Sequence, residues 1–85
     1  MTETEEDILD ELYFVTSFKA LSQMLTLDER SLCTHLQSLA SQGYIKCLYP
    51  DPDTEIEFDD AQFDERCNSY YFLATKAGLL AHNSR

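Results

Sequence analysis

The chain has 85 residues, of which 44% are hydrophobic and 12% aromatic, and this composition excludes a disordered chain and predicts one small globular domain. No apolar run approaches the ~20 residues of a membrane span, and the acidic N-terminus lacks the pattern of a secretory signal. The formal net charge is −10 with only six lysines and arginines, a balance poorly suited to nucleic-acid binding.

The chain opens with two predicted helices. Thr2 or Thr4 is suited to cap the first, because an acid stands three residues after each, and further acids follow at the positive end of the helix dipole. The apolar stripe of this helix predicts an extent from about residue 4 to about residue 15 and consists of Ile8, Leu12 and Val15. The second predicted helix is SFKALSQML, residues 17–25, with an apolar face of Phe18, Leu21 and Leu25.

A third helix is predicted between Asp28, a good N-cap, and Gly43, which suits the left-handed residue that often ends a helix. The buried stripe of this helix has 3.6-residue spacing and consists of Leu32, Leu36 and Leu39. The opposite face is polar and carries Arg30, Ser31, Thr34, Gln37, Ser38 and Ser41.

Two strands and a last helix follow. The alternation in YIKCLY, residues 44–49, predicts a strand that turns Ile45, Cys47 and Tyr49 towards the core. A second β-rich run, residues 69–74, is its predicted antiparallel partner. Thr75 is predicted to cap the helix KAGLLAHN, with Leu79 and Leu80 turned inward.

This order of elements resembles a winged helix-turn-helix domain. The segments KALSQML, LDERSLCTHLQSLASQGYI and YYFLATKAGLLAH are similar to the corresponding parts of MarR- and ArsR-type transcriptional regulators, and the resemblance covers residues 17–49 and 69–82. It implies an α+β fold over residues 1–85, with three helices, a two-stranded wing hairpin whose loop is 50–68, and a C-terminal helix. It also implies a homodimer through helix one, where Tyr13 and Phe14 flank the core stripe and offer a surface for contact. Helix three would lie in the major groove of DNA and present Arg30, Ser31, Thr34, His35 and Ser38.

The segment at the wing position is acidic. Residues 51–67, here called the acidic segment, read DPDTEIEFDDAQFDERC and hold eight carboxylates against one arginine, where DNA-binding wings carry Arg or Lys. One like-charge pair at ~4 Å costs ~4 kcal/mol at an effective dielectric near 20 and ~1 kcal/mol in bulk water. Several such pairs therefore outweigh the ~1–3 kcal/mol of discrimination from one bidentate arginine. The sequence therefore predicts a wing that faces a protein with a basic surface, and DNA is the less favoured partner.

The apolar residues of the acidic segment leave two alternatives open. Ile56 and Phe58 alternate with acids, and Phe63 lies among Asp60, Asp64 and Glu65. These apolar residues suit either contact with a partner, as anchors in its pockets or on a strand added to its sheet edge, or a fold back onto the domain's own core. In both cases, charge repulsion predicts that the polar edge of the segment is extended and mobile. The predicted partner-binding residues are Glu55, Ile56, Glu57, Phe58, Asp59, Asp60 and Phe63.

Cofactor and enzyme signatures are missing from the sequence. Cys33, Cys47 and Cys67 form no CxxC pair, which predicts buried inert thiols in a reduced, cytoplasmic chain. His35 and His82 lack zinc-ligand spacing, and the D-x-D-x-E run at 51–55 lacks the later glycine and glutamate of a calcium loop, so no metal is predicted. No nucleophile elbow or phosphate loop is found, and we expect no cofactor and no enzymatic activity.

These patterns favour a non-catalytic winged-helix regulatory domain that acts by protein–protein interaction through an acidic wing, as an adaptor or as an anti-regulator that mimics the charge of DNA. The alternative is a transcriptional regulator that reads DNA through Arg30, Thr34 and His35. A small metal or redox enzyme is the third and least favoured class. The two leading hypotheses differ in whether the domain binds duplex DNA.

Overall fold

Five α-helices, a 3₁₀ turn and one four-stranded antiparallel sheet make up the α+β domain in the computed structural model, which describes residues 1–84. The elements in chain order are α1 (Glu3–Glu11), β1 (Thr16–Ser17), α2 (Phe18–Leu25), α3 (Glu29–Ser41), β2 (Ile45–Leu48), β3 (Glu55–Ile56), α4 (Asp60–Arg66), the 3₁₀ turn (Cys67–Ser69), β4 (Tyr71–Ala74) and α5 (Lys76–Asn83). Among the described residues, no helix combines the length and the apolar content that a bilayer crossing requires.

The predicted helix caps are confirmed. The Thr2 hydroxyl accepts a hydrogen bond from the Glu5 amide at 3.1 Å, and the Glu5 carboxylate accepts one from the Thr2 amide in return. Asp28 caps α3 and Thr75 caps α5 in the same way, through their side-chain oxygens. Gly43 follows α3 with a φ of 78°, so the predicted left-handed residue is also present.

The first helix is shorter than predicted, because it ends at Glu11. The Thr16 hydroxyl donates to the carbonyl oxygens of Glu11 and Phe14, which fixes a turn after the helix. Beyond that turn, Thr16 pairs with Phe72 in β4. The chain therefore leaves the helix early because the sheet takes up residues 16 and 17, and the predicted extension of the helical stripe to Val15 is wrong.

The sheet has the strand order β1-β4-β2-β3. The predicted antiparallel pairing of β2 with β4 is confirmed, with Ile45 opposite Ala74 and Cys47 opposite Phe72. The two edge strands, β1 and β3, were not predicted. The layout therefore differs from the expected three helices and two-stranded hairpin, because the chain before α2 and the acidic segment each add a short strand to the sheet.

The core lies between the sheet and the inner faces of α1, α2 and α3. The structure corrects three predicted orientations. Leu48 is buried, although the alternation that turns Ile45 and Cys47 towards the core predicts the opposite direction for it. Tyr49, expected to face the core, is 38% exposed because the strand ends before it. Leu80 is 61% exposed because α5 turns Gly78 and His82 inward instead. Fully buried aliphatic residues include Ile8, Leu9, Leu12, Leu21, Leu32, Leu36 and Leu39.

The acidic segment is not the extended loop that charge repulsion predicted, because it forms β3 and α4. Phe63 is only 1% exposed, and its ring centroid lies 5.5 Å from that of Phe58, 5.9 Å from Tyr70 and 6.3 Å from Phe72. Full burial of a phenylalanine side chain contributes about 1.5–3 kcal/mol, whereas exposed carboxylates are screened by water and salt. Burial therefore outweighs repulsion, and Phe63 is a core residue and not an anchor offered to a partner.

A disulfide joins Cys33 of α3 to Cys67 at the start of the 3₁₀ turn, with the two Cα atoms 6.1 Å apart. The expectation of free thiols is wrong for these two residues, because α4 returns the chain to α3 and brings Cys67 beside Cys33. It is confirmed for Cys47, which is buried and free. Burial raises the pKa of the Cys47 thiol to about 12, so this thiol is protonated and inert at neutral pH.

Candidate functional site

The eight carboxylates of the acidic segment all lie on the surface of the domain. Within residues 1–84, one ion pair involves them, between the Lys46 ammonium and Glu55 at 3.4 Å. Arg66 is the basic residue of the segment and forms no ion pair with any described residue. The segment therefore presents a mostly uncompensated negative surface. Its carboxylates belong to Asp51, Asp53, Glu55, Glu57, Asp59, Asp60, Asp64 and Glu65.

Some of these carboxylates hold the local backbone in place. Asp51 accepts hydrogen bonds from the Asp53 amide and the Thr54 hydroxyl, both at 2.9 Å, and so closes the turn between β2 and β3. Asp59 is the N-cap of α4 and accepts from the Ala61 amide at 3.0 Å. Four carboxylates of the segment form no hydrogen bond or ion pair within residues 1–84 and are available to a partner: Asp53, Glu57, Asp64 and Glu65.

Helix α4 packs against α3, the helix predicted from Asp28 to Gly43. The Gln37 side chain donates a hydrogen bond to Asp60 at 2.7 Å, and the Cys33–Cys67 disulfide fixes the other end of the contact. Between the helices runs a groove of about 440 Å³, which Arg30 and Asp64 both line. The acidic segment is therefore anchored to α3 by a covalent bond and a hydrogen bond.

The five residues predicted to face DNA share the outer side of α3, but four of them are engaged within the domain. Only the Arg30 guanidinium lacks a hydrogen bond or ion pair within residues 1–84. The His35 ring bonds Glu5 of α1 at 3.1 Å and is half-buried. The three hydroxyls bond within α3 or its caps: Ser31 to Asp28, Thr34 to the Arg30 carbonyl, and Ser38 to Gln42.

The N-terminus of α3 carries negative charge. The Asp28 carboxylate accepts hydrogen bonds from the backbone amide and the hydroxyl of Ser31, and these bonds hold its pKa below the ordinary value. Glu29 follows at the first helical position and lines the same groove as Arg30. Arg30 therefore shares its groove with the carboxylates of Glu29 and Asp64, and the Asp28 carboxylate lies at the same end of α3.

A second groove, here called the aromatic groove, lies on the other side of α4. It measures about 610 Å³ and brings together five of the predicted partner-binding residues. Of the other two, Glu55 pairs with Lys46 and Phe63 lies beneath the groove in the core. The predicted members are Ile56, Glu57, Phe58, Asp59 and Asp60.

Sequence reasoning missed two tyrosines of the aromatic groove, Tyr49 and Tyr70. Tyr49 was assigned to the core by strand alternation, although Pro50 directly after it is a signal that the strand ends there. Tyr70 precedes β4, and burial raises the pKa of its hydroxyl. Their ring centroids are 5.7 Å apart in an edge-on arrangement, and both residues line the groove.

A further cluster joins the first and last helices. Both ring nitrogens of His82 lie against carboxylates of α1, Nδ1 at 3.1 Å from Glu6 and Nε2 at 2.5 Å from Asp10. His82 is 4% exposed, and the hydrogen bond to Glu6, with a further one to Asp10, raises the pKa of its imidazole against the opposing effect of burial. Among the described residues, no group of three or more His, Cys, Asp and Glu side chains is arranged to hold a metal ion.

Large apolar side chains are exposed after α1. Phe14 is 81% exposed, and Tyr13 and Val15 beside it are exposed as well. The Tyr13 hydroxyl lies 3.4 Å from the Asn83 side chain on α5. A homodimer through the first helix stays a prediction, and these residues mark the surface that it would use.

The chain matches no protein-family model, no curated protein and no solved structure. The charges, exposure and contacts of residues 1–84 are therefore the basis for a functional proposal.

Proposed function

We propose that this protein is a non-catalytic domain of the winged helix-turn-helix type that binds a protein partner with a basic surface through its acidic segment. The winged-helix interpretation is supported by the succession of α1, α2 and α3, followed by the antiparallel strands β2 and β4. The acidic segment lies between these two strands, at the position of a wing.

The observation that carries the proposal is the exposure of all eight carboxylates on a segment that is itself folded against the domain. A folded acidic surface presents its charges at fixed positions, which favours a specific partner over loose attraction to any cation. Charge complementarity of this kind accelerates association and selects against partners of the wrong sign. Two roles fit this surface, an adaptor and an anti-regulator that occupies the DNA-binding site of a basic protein.

The same arrangement disfavours DNA as the ligand. Helix α4 brings Asp64 into the groove that Arg30 lines, and Asp28 and Glu29 add charge at the N-terminal end of α3. Phosphates approaching that end would meet carboxylates instead of the basic side chains that displace counterions. Arg30 is the one feature of the described surface that favours the alternative of a DNA-binding regulator.

A titration of labelled mixed-sequence duplex DNA, followed by fluorescence anisotropy in moderate salt, separates the two functions. We expect no saturable binding at tens of micromolar protein, whereas non-specific DNA-binding proteins bind with dissociation constants of about 10⁻⁴–10⁻⁶ M. Binding that is abolished by Arg30→Glu but kept in Lys19→Glu, an equal charge change on the exposed face of α2, would show that the domain is a DNA-binding regulator.

The protein-binding function is tested with two variants of equal charge. The triple variant Asp53→Asn, Glu57→Gln, Asp64→Asn removes three carboxylates of the acidic segment that form no hydrogen bond or ion pair within residues 1–84. Its control removes three acids from α1, at Glu3, Asp7 and Glu11. Both variants are immobilised and exposed to an extract of the source cell. We expect a basic protein to elute from the control at a higher salt concentration than from the triple variant. Equal retention would mean that net charge alone attracts it.

A further inference from the structure

We infer that the aromatic groove is the docking site for an arginine or lysine side chain carried by an extended segment of the partner. The inference rests on the proposed function and states where on the acidic segment the partner binds and what chemistry it offers. It is carried by the aromatic floor of the groove, its acidic rim and its position beside the edge strand β3.

The floor of the groove is the outer end of an aromatic cluster that begins in the core. Phe72 is fully buried, and Tyr70 packs against it at 6.2 Å between ring centroids. Tyr49 packs against Tyr70 at 5.7 Å, and Phe58 packs against Phe63 at 5.5 Å. Because each ring is braced by the next, the exposed part of Tyr49 is held in one orientation, as a preorganised aromatic surface should be.

The rim of the groove supplies the charge that a cation requires. Glu57, Asp59 and Asp60 line the groove, and Arg66 is the one base among its lining residues. An arginine or lysine stem covers apolar surface while its charged end interacts with a ring face and with carboxylates. The same rim would repel an acidic side chain, and an apolar side chain would gain no attraction from its carboxylates. The groove therefore discriminates by charge as well as by shape.

The edge strand beside the groove indicates an extended conformation for the ligand. Strand β3 is the last strand of the sheet, and within residues 1–84 no strand pairs with its outer side. Ile56 belongs both to β3 and to the groove. An extended peptide that adds to this edge would carry alternate side chains towards the groove, because side chains alternate along a strand.

The inference is tested by NMR titration of the isotope-labelled 85-residue chain with a synthetic peptide in which arginine alternates with valine. A second peptide carries citrulline, which keeps the shape of arginine without the charge. We expect the arginine peptide to give saturable shifts at Tyr49, residues 55–60 and Tyr70, and the citrulline peptide to bind at least about tenfold more weakly, because the rim attracts charge.

Two matched double variants locate the binding site. Glu57→Gln with Asp59→Asn removes two charges from the rim and keeps a capping side chain at position 59. Asp53→Asn with Glu65→Gln removes the same charge outside the groove. The first pair should weaken binding several-fold more than the second. Tyr49→Leu should weaken it about two- to fivefold through loss of the cation–π contact alone, and its partly exposed position limits the effect on folding.

The outcomes distinguish this inference from the function on which it rests. If both double variants weaken the arginine peptide equally, or Tyr49→Leu has no effect, the acidic segment binds basic peptides but the aromatic groove is not the site. If neither peptide binds while duplex DNA binds in an Arg30-dependent way, the proposed function fails together with the inference. Saturable shifts confined to α1 would also overturn both.

Discussion

At the scale of single residues, the folding of the acidic segment depends on Phe63. Its side chain fills the space between α4 and the sheet, in contact with the rings of Phe58, Tyr70 and Phe72. Truncation of a fully buried phenylalanine to alanine removes its transfer free energy and leaves a cavity. We expect Phe63→Ala to lower the free energy of unfolding by about 3–5 kcal/mol, measured by urea denaturation.

The matched control for this prediction is Phe14→Ala, because Phe14 is 81% exposed. This change should alter the free energy of unfolding by less than about 0.5 kcal/mol. If the alanine variant does not fold, Phe63→Leu replaces it. Leucine keeps most of the side-chain volume, so a smaller loss of unfolding free energy can still be measured. Equal effects at positions 14 and 63 would contradict the burial of Phe63. The local sequence could not predict that Phe63 is buried and Phe14 exposed. Phe14 has apolar neighbours and Phe63 has acidic ones, and only tertiary packing decides which ring is covered.

At the scale of elements, the helices with strong caps and long apolar stripes were predictable. Helix α3 begins after Asp28 and ends before Gly43 as its sequence indicates, and α2 and α5 begin after the capping side chains of Ser17 and Thr75. The edge strands have two residues each and hold no periodic pattern. Helix α4 was missed because its stability comes from Phe63 and from the link to α3. Of the candidate site, the acidic lining was therefore predicted, but the two tyrosines were not.

The Cys33–Cys67 disulfide is the covalent part of that link. The two residues are separated by 34 positions, and a loop of this length constrains the unfolded chain by about 4 kcal/mol in the chain-entropy model. We expect reduction, or the double variant Cys33→Ser with Cys67→Ser, to lower the free energy of unfolding by about this amount. Urea denaturation with and without reductant measures it, and peptide mapping without reduction identifies the pair.

The double serine variant also supplies the control, because reductant should not change its stability. Cys47 should stay unmodified by thiol reagents in the folded protein at neutral pH, since burial raises its pKa to about 12. A wild-type protein whose stability does not respond to reductant, or whose mapped disulfide includes Cys47, would be inconsistent with the cross-link between α3 and the 3₁₀ turn.

At the scale of the whole molecule, the first and last helices are held together by a charged contact between residues that are far apart in the sequence. His82 of α5 has Glu6 and Asp10 of α1 at its two ring nitrogens. An imidazole that donates from both nitrogens is protonated, and both carboxylates then accept. Sequence spacing gave no indication of this cluster, because 76 positions separate His82 from Glu6 and 72 separate it from Asp10.

The contact makes stability depend on pH in a definite direction. The carboxylates raise the folded-state pKa of His82 above the ordinary 6.5, so the folded protein binds the proton more tightly than the unfolded chain does. The stabilisation is complete below pH 6.5 and is lost as the pH rises through the raised pKa. We therefore expect the difference in unfolding free energy between wild type and His82→Gln to be largest in mild acid and to shrink towards alkaline pH.

Asp10→Asn sharpens the same test, because it removes one of the two carboxylates and should bring the His82 pKa closer to its ordinary value. Titration of the His82 ring signals by NMR measures that shift directly, while urea denaturation follows the corresponding loss of stability at lower pH. The quantity compared at each pH is the unfolding free energy of wild type minus that of His82→Gln. The self-repulsion of a chain with a net charge of −10 affects both proteins alike and cancels in this difference. A wild-type His82 that titrates at or below 6.5 would mean that burial outweighs its carboxylates, and α1 would then be held to α5 by apolar packing alone.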